Sequence, residues 1–137
     1  MRIMALDVGD RRIGVALSDP TGLLATPHSA VDRKYAKPSD IDEIAGIARE
    51  NDVEAIIVGL PRSLSGRLGD QAKLVTTFVS ELSTRIDLPV STVDERYTTV
   101  QAERMLRESG RQPSRDRGRV DASAAAVMLQ AYLDSQR

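Results

Sequence analysis

Near residue 38 the hydrophobic pattern changes from strand-like runs to an alternation of helix and strand, and few architectures accommodate that order. Before the change, Ile3 to Leu6 is apolar and ends at Asp7, and Arg12 to Leu17 (RIGVAL) is a second run. Asp7-Val8-Gly9-Asp10-Arg11 lies between them, with the Gly and Asp content of a tight hairpin connection. Asp19-Pro20-Thr21-Gly22 is a second turn signal. Leu23 to Val31 then reads as a third strand, which Pro27 confines to an edge or interrupts.

After the change, Ile41, Ile44, Ile47 and Ala48 fall on one helical face behind Ser39, a natural N-cap. Asp40, Asp42 and Glu43 suit the positive end of that helix. Ala55-Ile56-Ile57-Val58 before Gly59 fits a buried parallel strand. Leu60 to Gly69 reads as a polar loop, and Ala72, Val75, Val79, Leu82 and Ile86 mark a second helix. Pro89 to Val93 is a fifth strand. Thr98 with Gln101 forms a capping-box signature for a helix ending near Gly110. Arg111 to Arg119 (RQPSRDRGR) reads as a loop, and Val120 to Leu133 as a final helix with Asp121 in its first turn. The order β-β-β-α-β-α-β-α-α predicts an α/β fold. It has a mixed five-stranded sheet, antiparallel in its first half and built by crossovers in its second. At 137 residues the chain is one domain's length, 1–137, without an internal repeat.

Composition removes several chemistries. There is no cysteine, so thiolate catalysis and cysteine zinc sites are excluded, and His28 alone cannot make a two-histidine metal motif. The aromatics are Tyr35, Phe78, Tyr97 and Tyr132, too few for a base-stacking platform. The net charge is -1, so a polyanion would have to be met by a local basic patch. No apolar run reaches membrane-span length and the N-terminus lacks the apolar stretch of a secretory signal, which points to the cytoplasm.

Acids stand where chemistry would need them. Asp7 ends the first strand, Asp94 and Glu95 end the last, and Asp121 opens the final helix. If the parallel strands run beside the first, Asp7 and Glu95 emerge at carboxyl ends of neighbouring central strands, the edge where open α/β sheets hold ligands. Gathered carboxylates require a cation or raised pKa values. Oxygen donors without His or Cys select Mg²⁺ or Mn²⁺. Plainer roles exist for each: Asp7 as a turn former, Asp121 as a dipole partner, Asp94-Glu95-Arg96 as a polar strand exit. Arg62, Arg67, Arg111, Arg115, Arg117 and Arg119 are candidates for phosphate contacts, or a solvated basic surface.

Four separated segments carry a specific resemblance: Asp7-Val8-Gly9-Asp10-Arg11-Arg12-Ile13-Gly14-Val15-Ala16, Gly59-Leu60-Pro61, Val93-Asp94-Glu95-Arg96-Tyr97-Thr98-Thr99, and Val120-Asp121-Ala122-Ser123-Ala124-Ala125 with Leu129 to Asp134. Together, over essentially the whole chain, they resemble the YqgF/RuvX family. The resemblance implies a ribonuclease H-like fold and a metal-dependent nuclease, with Asp7, Glu95 and Asp121 as the catalytic and Mg²⁺- or Mn²⁺-holding acids. Strand alternation also favours Glu95 over Asp94 if Val93 faces the core. The family is described both as a nuclease maturing the 5′ end of pre-16S ribosomal RNA and as a Holliday junction resolvase. The expected partner is therefore structured RNA or branched DNA, with the protein a monomer or a homodimer. A non-catalytic nucleic-acid-binding module is the alternative class. An actin-like sugar kinase shares the D-x-G turn but needs a second, duplicated domain. Departures lie at Arg62-Ser63-Leu64-Ser65-Gly66-Arg67, where relatives commonly carry Asn, Asp and Ser, and in arginine before Asp121 where lysine is common.

Overall fold

The computed structural model describes residues 1–34, 39–61, 66–94 and 117–136, with the backbone alone at 66–68 and 117–121. Its elements in chain order are β1 (Ile3–Val8), β2 (Arg12–Ser18), β3 (Ala25–Asp32), α1 (Asp40–Glu50), β4 (Ala55–Leu60), α2 (Gly66–Arg85), β5 (Val90–Asp94) and α3 (Arg117–Ser135). The strands form a five-stranded sheet in the order β3-β2-β1-β4-β5. β1 pairs antiparallel with β2, and β2 with β3, whereas β4 runs parallel to β1 and β5 parallel to β4. The mixed α/β sheet read from the sequence is therefore present. The helix expected between Thr98 and Gly110 lies outside the described residues.

Alternation along each strand divides the sheet into two faces. Met4, Leu6, Val8, Ile13, Val15, Ile56 and Val58 pack against Ile41 and Ile44 of α1 and Val75, Phe78 and Leu82 of α2. Ile3, Ala5, Ala16, Ala25, Ile57 and Val93 pack against Ala125, Ala126, Leu129 and Leu133 of α3. Alanines on both surfaces of the second layer let α3 approach the sheet closely. Each fully buried aliphatic or aromatic side chain contributes about 1.5–3 kcal/mol, and the α1/α2 layer holds most of the large ones, Phe78 and Leu82 among them.

Local signals explain the boundaries. Ser39 caps α1 in a reciprocal box: its hydroxyl accepts from the Asp42 N–H at 3.2 Å, and the Asp42 carboxylate accepts from the Ser39 N–H at 2.9 Å. β3 is an edge strand, and its register with β2 shifts where His28 stands as the extra residue beside Pro27. Both readings offered by Pro27, edge and interruption, hold. Buried Gln130 of α3 accepts from the Ala25 N–H at 2.9 Å and donates to the Leu23 carbonyl at 3.1 Å, which ties the helix to this edge.

Two helices start earlier than their sequence implied. α2 begins at Gly66, which takes Arg67 out of the expected loop, and α3 begins at Arg117, which takes in Arg117 and Arg119. Arginine is a strong helix former, and the cost of Gly118, about 1 kcal/mol, is offset by the alanine-rich face that follows. Asp121 consequently stands in the second turn of α3 rather than its first. Among the described residues, no helix is long and apolar enough to cross a membrane.

Candidate active site at the carboxyl edge of the sheet

β1, β4 and β5 run in the same direction, so their carboxyl ends share one edge. Asp7 is the penultimate residue of β1, one short of the strand end the sequence suggested. It is half-buried and belongs with Ile3 and Ala5 to the face covered by α3. Its antiparallel partner on β2 is Gly14. On β4 the parallel register ends at Leu6–Val58, and the next residue is Gly59, itself paired with Val93 of β5. Asp7 is thus flanked by glycine on both neighbouring strands, Gly14 and Gly59, so neither strand sets a side chain beside its carboxylate.

The hairpin after Asp7 is tightly closed. The Gly9 N–H donates to the Arg12 carbonyl at 2.9 Å. A Cβ on Gly9 would stand 2.9 Å from that same oxygen, so only glycine fits. Gln71 of α2 donates to the Val8 carbonyl at 2.9 Å, and Arg33 donates to the Gly9 carbonyl at 3.3 Å. Arg33 is itself buried in an ion pair with Asp40 at 2.8 Å, and its guanidinium lies 5.5 Å from the centre of the Phe78 ring. Arg11 is exposed on the hairpin four residues beyond Asp7.

The acids expected at this edge are disposed differently from one another. β4 separates β1 from β5, so the strands bearing Asp7 and Asp94 are not neighbours; they are roughly 9–10 Å apart across one intervening strand. The crossover through α1 inserts β4 beside β1 and pushes β5 to the edge. Asp94 ends β5 opposite Leu60 and alternates away from Val93, onto the α1/α2 face. Glu95, Arg62, Arg111 and Arg115 lie outside the described residues. Asp121, Arg67, Arg117 and Arg119 are placed by backbone alone, in α3 and α2. Among the described residues, no three of His, Cys, Asp and Glu gather in a way that could hold a metal. His28 is exposed on β3 with its Nδ1 2.8 Å from the Ser29 hydroxyl, away from the carboxyl edge.

Asp40, Arg33 and Gln71 are the residues sequence reasoning missed around Asp7. Asp40 was legible only as an acid suited to a helix N-terminus. Its ion pair with Arg33 depends on the path of the connection before α1, which no local spacing encodes.

A family model described as "RuvX: Holliday junction resolvase" matches residues 1–135. The chain belongs to the RuvX family. A relative from Roseiflexus sp., named "Putative pre-16S rRNA nuclease", is 49% identical over 136 residues, covering 99% of this chain and 96% of the relative. Relatives bearing the same name from Synechococcus elongatus and Desulforamulus reducens are 46% and 44% identical, covering 98% of this chain and 89% and 98% of their own lengths. Among solved structures, Thermus thermophilus RuvC aligns with a TM-score of 0.62 at 15% identity, covering 99% of this chain and 97% of that one. RuvC in complex with a Holliday junction substrate aligns with a TM-score of 0.61 at 16% identity. The likeness establishes a ribonuclease H-like fold for this RuvX chain.

Proposed function

We propose that the protein is a metal-dependent nuclease that hydrolyses phosphodiesters of structured nucleic acid, with the 5′ end of precursor 16S ribosomal RNA as its substrate. The observation that carries this reading is the position of Asp7. It stands at the shared carboxyl edge of three parallel strands, on the face covered by the helix that bears Asp121, with glycine on either side. The name shared by relatives 44–49% identical to this chain supplies the substrate.

Asp7, Glu95 and Asp121 would hold Mg²⁺ or Mn²⁺. Their oxygen donors, in a chain with no cysteine and a single exposed histidine, fit a hard divalent cation. Such ions lower the pKa of an attacking water and stabilise the leaving oxygen. Two features favour Glu95 over Asp94. Val93 lies on the same α3 face as Asp7, and Glu95 follows it by two in sequence, the spacing of residues that share a face in an extended strand. Gly59, on the strand between, presents no side chain to obstruct the longer reach of a glutamate. Asp121 stands one helical turn before Ala125, which packs on that face. Arg62, Arg67, Arg111, Arg115, Arg117 and Arg119 would hold phosphates and orient the strand without reading its sequence.

The family description supports a second substrate, a four-way DNA junction, for which a two-fold homodimer would supply paired cuts. A monomer suffices to trim an RNA end. Cleavage of a matched panel separates the readings: precursor 16S RNA, a four-way junction, duplex and single strand, each with Mg²⁺, Mn²⁺ and EDTA. The expected result is metal-dependent cleavage of the RNA precursor above the other substrates. Preferential junction cleavage would transfer the assignment to resolution. Binding without cleavage of any substrate would make the protein a recognition module.

A further inference from the structure

Two side chains from outside β1 take hold of consecutive carbonyls immediately after Asp7. The Val8 carbonyl accepts from Gln71 Nε2 at 2.9 Å, and the Gly9 carbonyl accepts from Arg33 Nη1 at 3.3 Å. Both carbonyls lie beyond Leu6, where the parallel pairing with β4 stops. The strand therefore carries Asp7 past the end of that ladder; β2 still pairs with it through Gly14 and Ile13, and Gln71 and Arg33 hold the two carbonyls that follow Asp7. Neither donor is itself loose. Gln71 projects from the second turn of a 20-residue helix. Arg33 is pinned through Nε to Asp40 at 2.8 Å, in a pair with side-chain exposures of 8% and 4%. Asp40 in turn accepts from the Ile41 N–H at 2.8 Å, inside the first turn of α1. The Arg33 backbone N–H also donates to the Arg11 carbonyl at 2.9 Å, so the same residue grips both sides of the hairpin.

We propose that Gln71 and Arg33 are positioning residues for Asp7: by fixing the Val8 and Gly9 carbonyls they hold the Asp7 carboxylate where it binds a divalent cation. This rests on the reading of Asp7 as a metal-holding acid. Metal affinity is sensitive to groups that orient the ligands, which is where small displacements are felt. A purely structural role would make the two contacts matter for hairpin stability and leave cation binding unchanged in the folded protein.

Gln71→Met retains the length and apolar stem of the side chain and removes its N–H donor. Arg33→Lys retains the charge beside Asp40, but a single ammonium cannot serve Asp40 and the Gly9 carbonyl with the geometry of the guanidinium fork. Mn²⁺ binding to each folded variant is measured by paramagnetic resonance of the free ion, alongside thermal melting, with the parent protein and Asp7→Asn as references. The expected result is a melting temperature for Gln71→Met within about 5 °C of the parent. Its Mn²⁺ affinity should be lowered by about tenfold or more, and that of Arg33→Lys should fall in the same direction. Parent-like Mn²⁺ affinity in both variants, with binding lost in Asp7→Asn, would overturn the positioning role alone. Parent-like affinity in Asp7→Asn would overturn the metal-holding role of Asp7, and the positioning role with it.

Discussion

Val93 and Asp94 are adjacent on β5 and face opposite sides of the sheet, Val93 toward α3 and Asp94 toward the α1/α2 layer. Under the proposed nuclease reading, Glu95 rather than Asp94 is the acid that acts with Asp7. Glu95→Gln is expected to lower turnover by about 100-fold or more, and Asp94→Asn by no more than about tenfold. Single-turnover cleavage at saturating substrate measures both, and the reverse order would move the metal-holding role to Asp94. Asp7 itself was legible in the sequence because an acid at the close of an apolar run, followed by a glycine turn, is a local pattern. The residues that hold its hairpin were not. Gln71 reaches Val8 across 63 positions and Arg33 reaches Gly9 across 24, and nothing in the neighbourhood of either donor marks the carbonyl it will meet.

The β2–β3 connection shows how one side chain sets the boundary of an element. The Asp19 carboxylate accepts from the N–H groups of Thr21, Leu23 and Leu24 and from the Thr21 hydroxyl. Leu23 and Leu24 are thereby drawn into the turn and left exposed, and β3 begins at Ala25 rather than at Leu23 as the apolar run suggested. Gly22 takes φ +76° to complete the turn. The hydrogen bonds from Leu24 and Thr21 hold the Asp19 carboxyl well below the usual carboxylate range, against the opposing effect of burial. A depressed folded-state pKa stabilises the fold fully above the ordinary carboxylate pKa, about 4, and less as pH falls below it. The melting temperature of Asp19→Asn should therefore lie below the parent's at neutral pH, with the gap closing below about pH 4. A gap that stays constant from neutral pH down to pH 2 would contradict the account. By contrast, the capping box of α1 was legible at its Ser39 end, because both of its partners lie within one turn.

At the scale of the whole molecule, the sheet order β3-β2-β1-β4-β5 gathers the carboxyl ends of β1, β4 and β5 at one edge and lays α3 across the face on which Asp7 stands. The change from meander to crossover was visible in the periodicity, so the mixed sheet could be read in advance. The separation of β1 from β5 by β4 could not, because strand order depends on which side of the sheet each crossover takes. Metal-dependent cleavage at this edge requires Asp7 to be an acid gathered with others for a cation. Like charges brought together destabilise the fold when no cation is present, so the neutral isostere should affect activity and stability in opposite senses. The most direct test is Asp7→Asn, assayed for Mg²⁺- and Mn²⁺-dependent cleavage and for melting in EDTA. The predicted result is loss of cleavage with a melting temperature equal to or slightly above the parent's; wild-type turnover in the folded variant would contradict it.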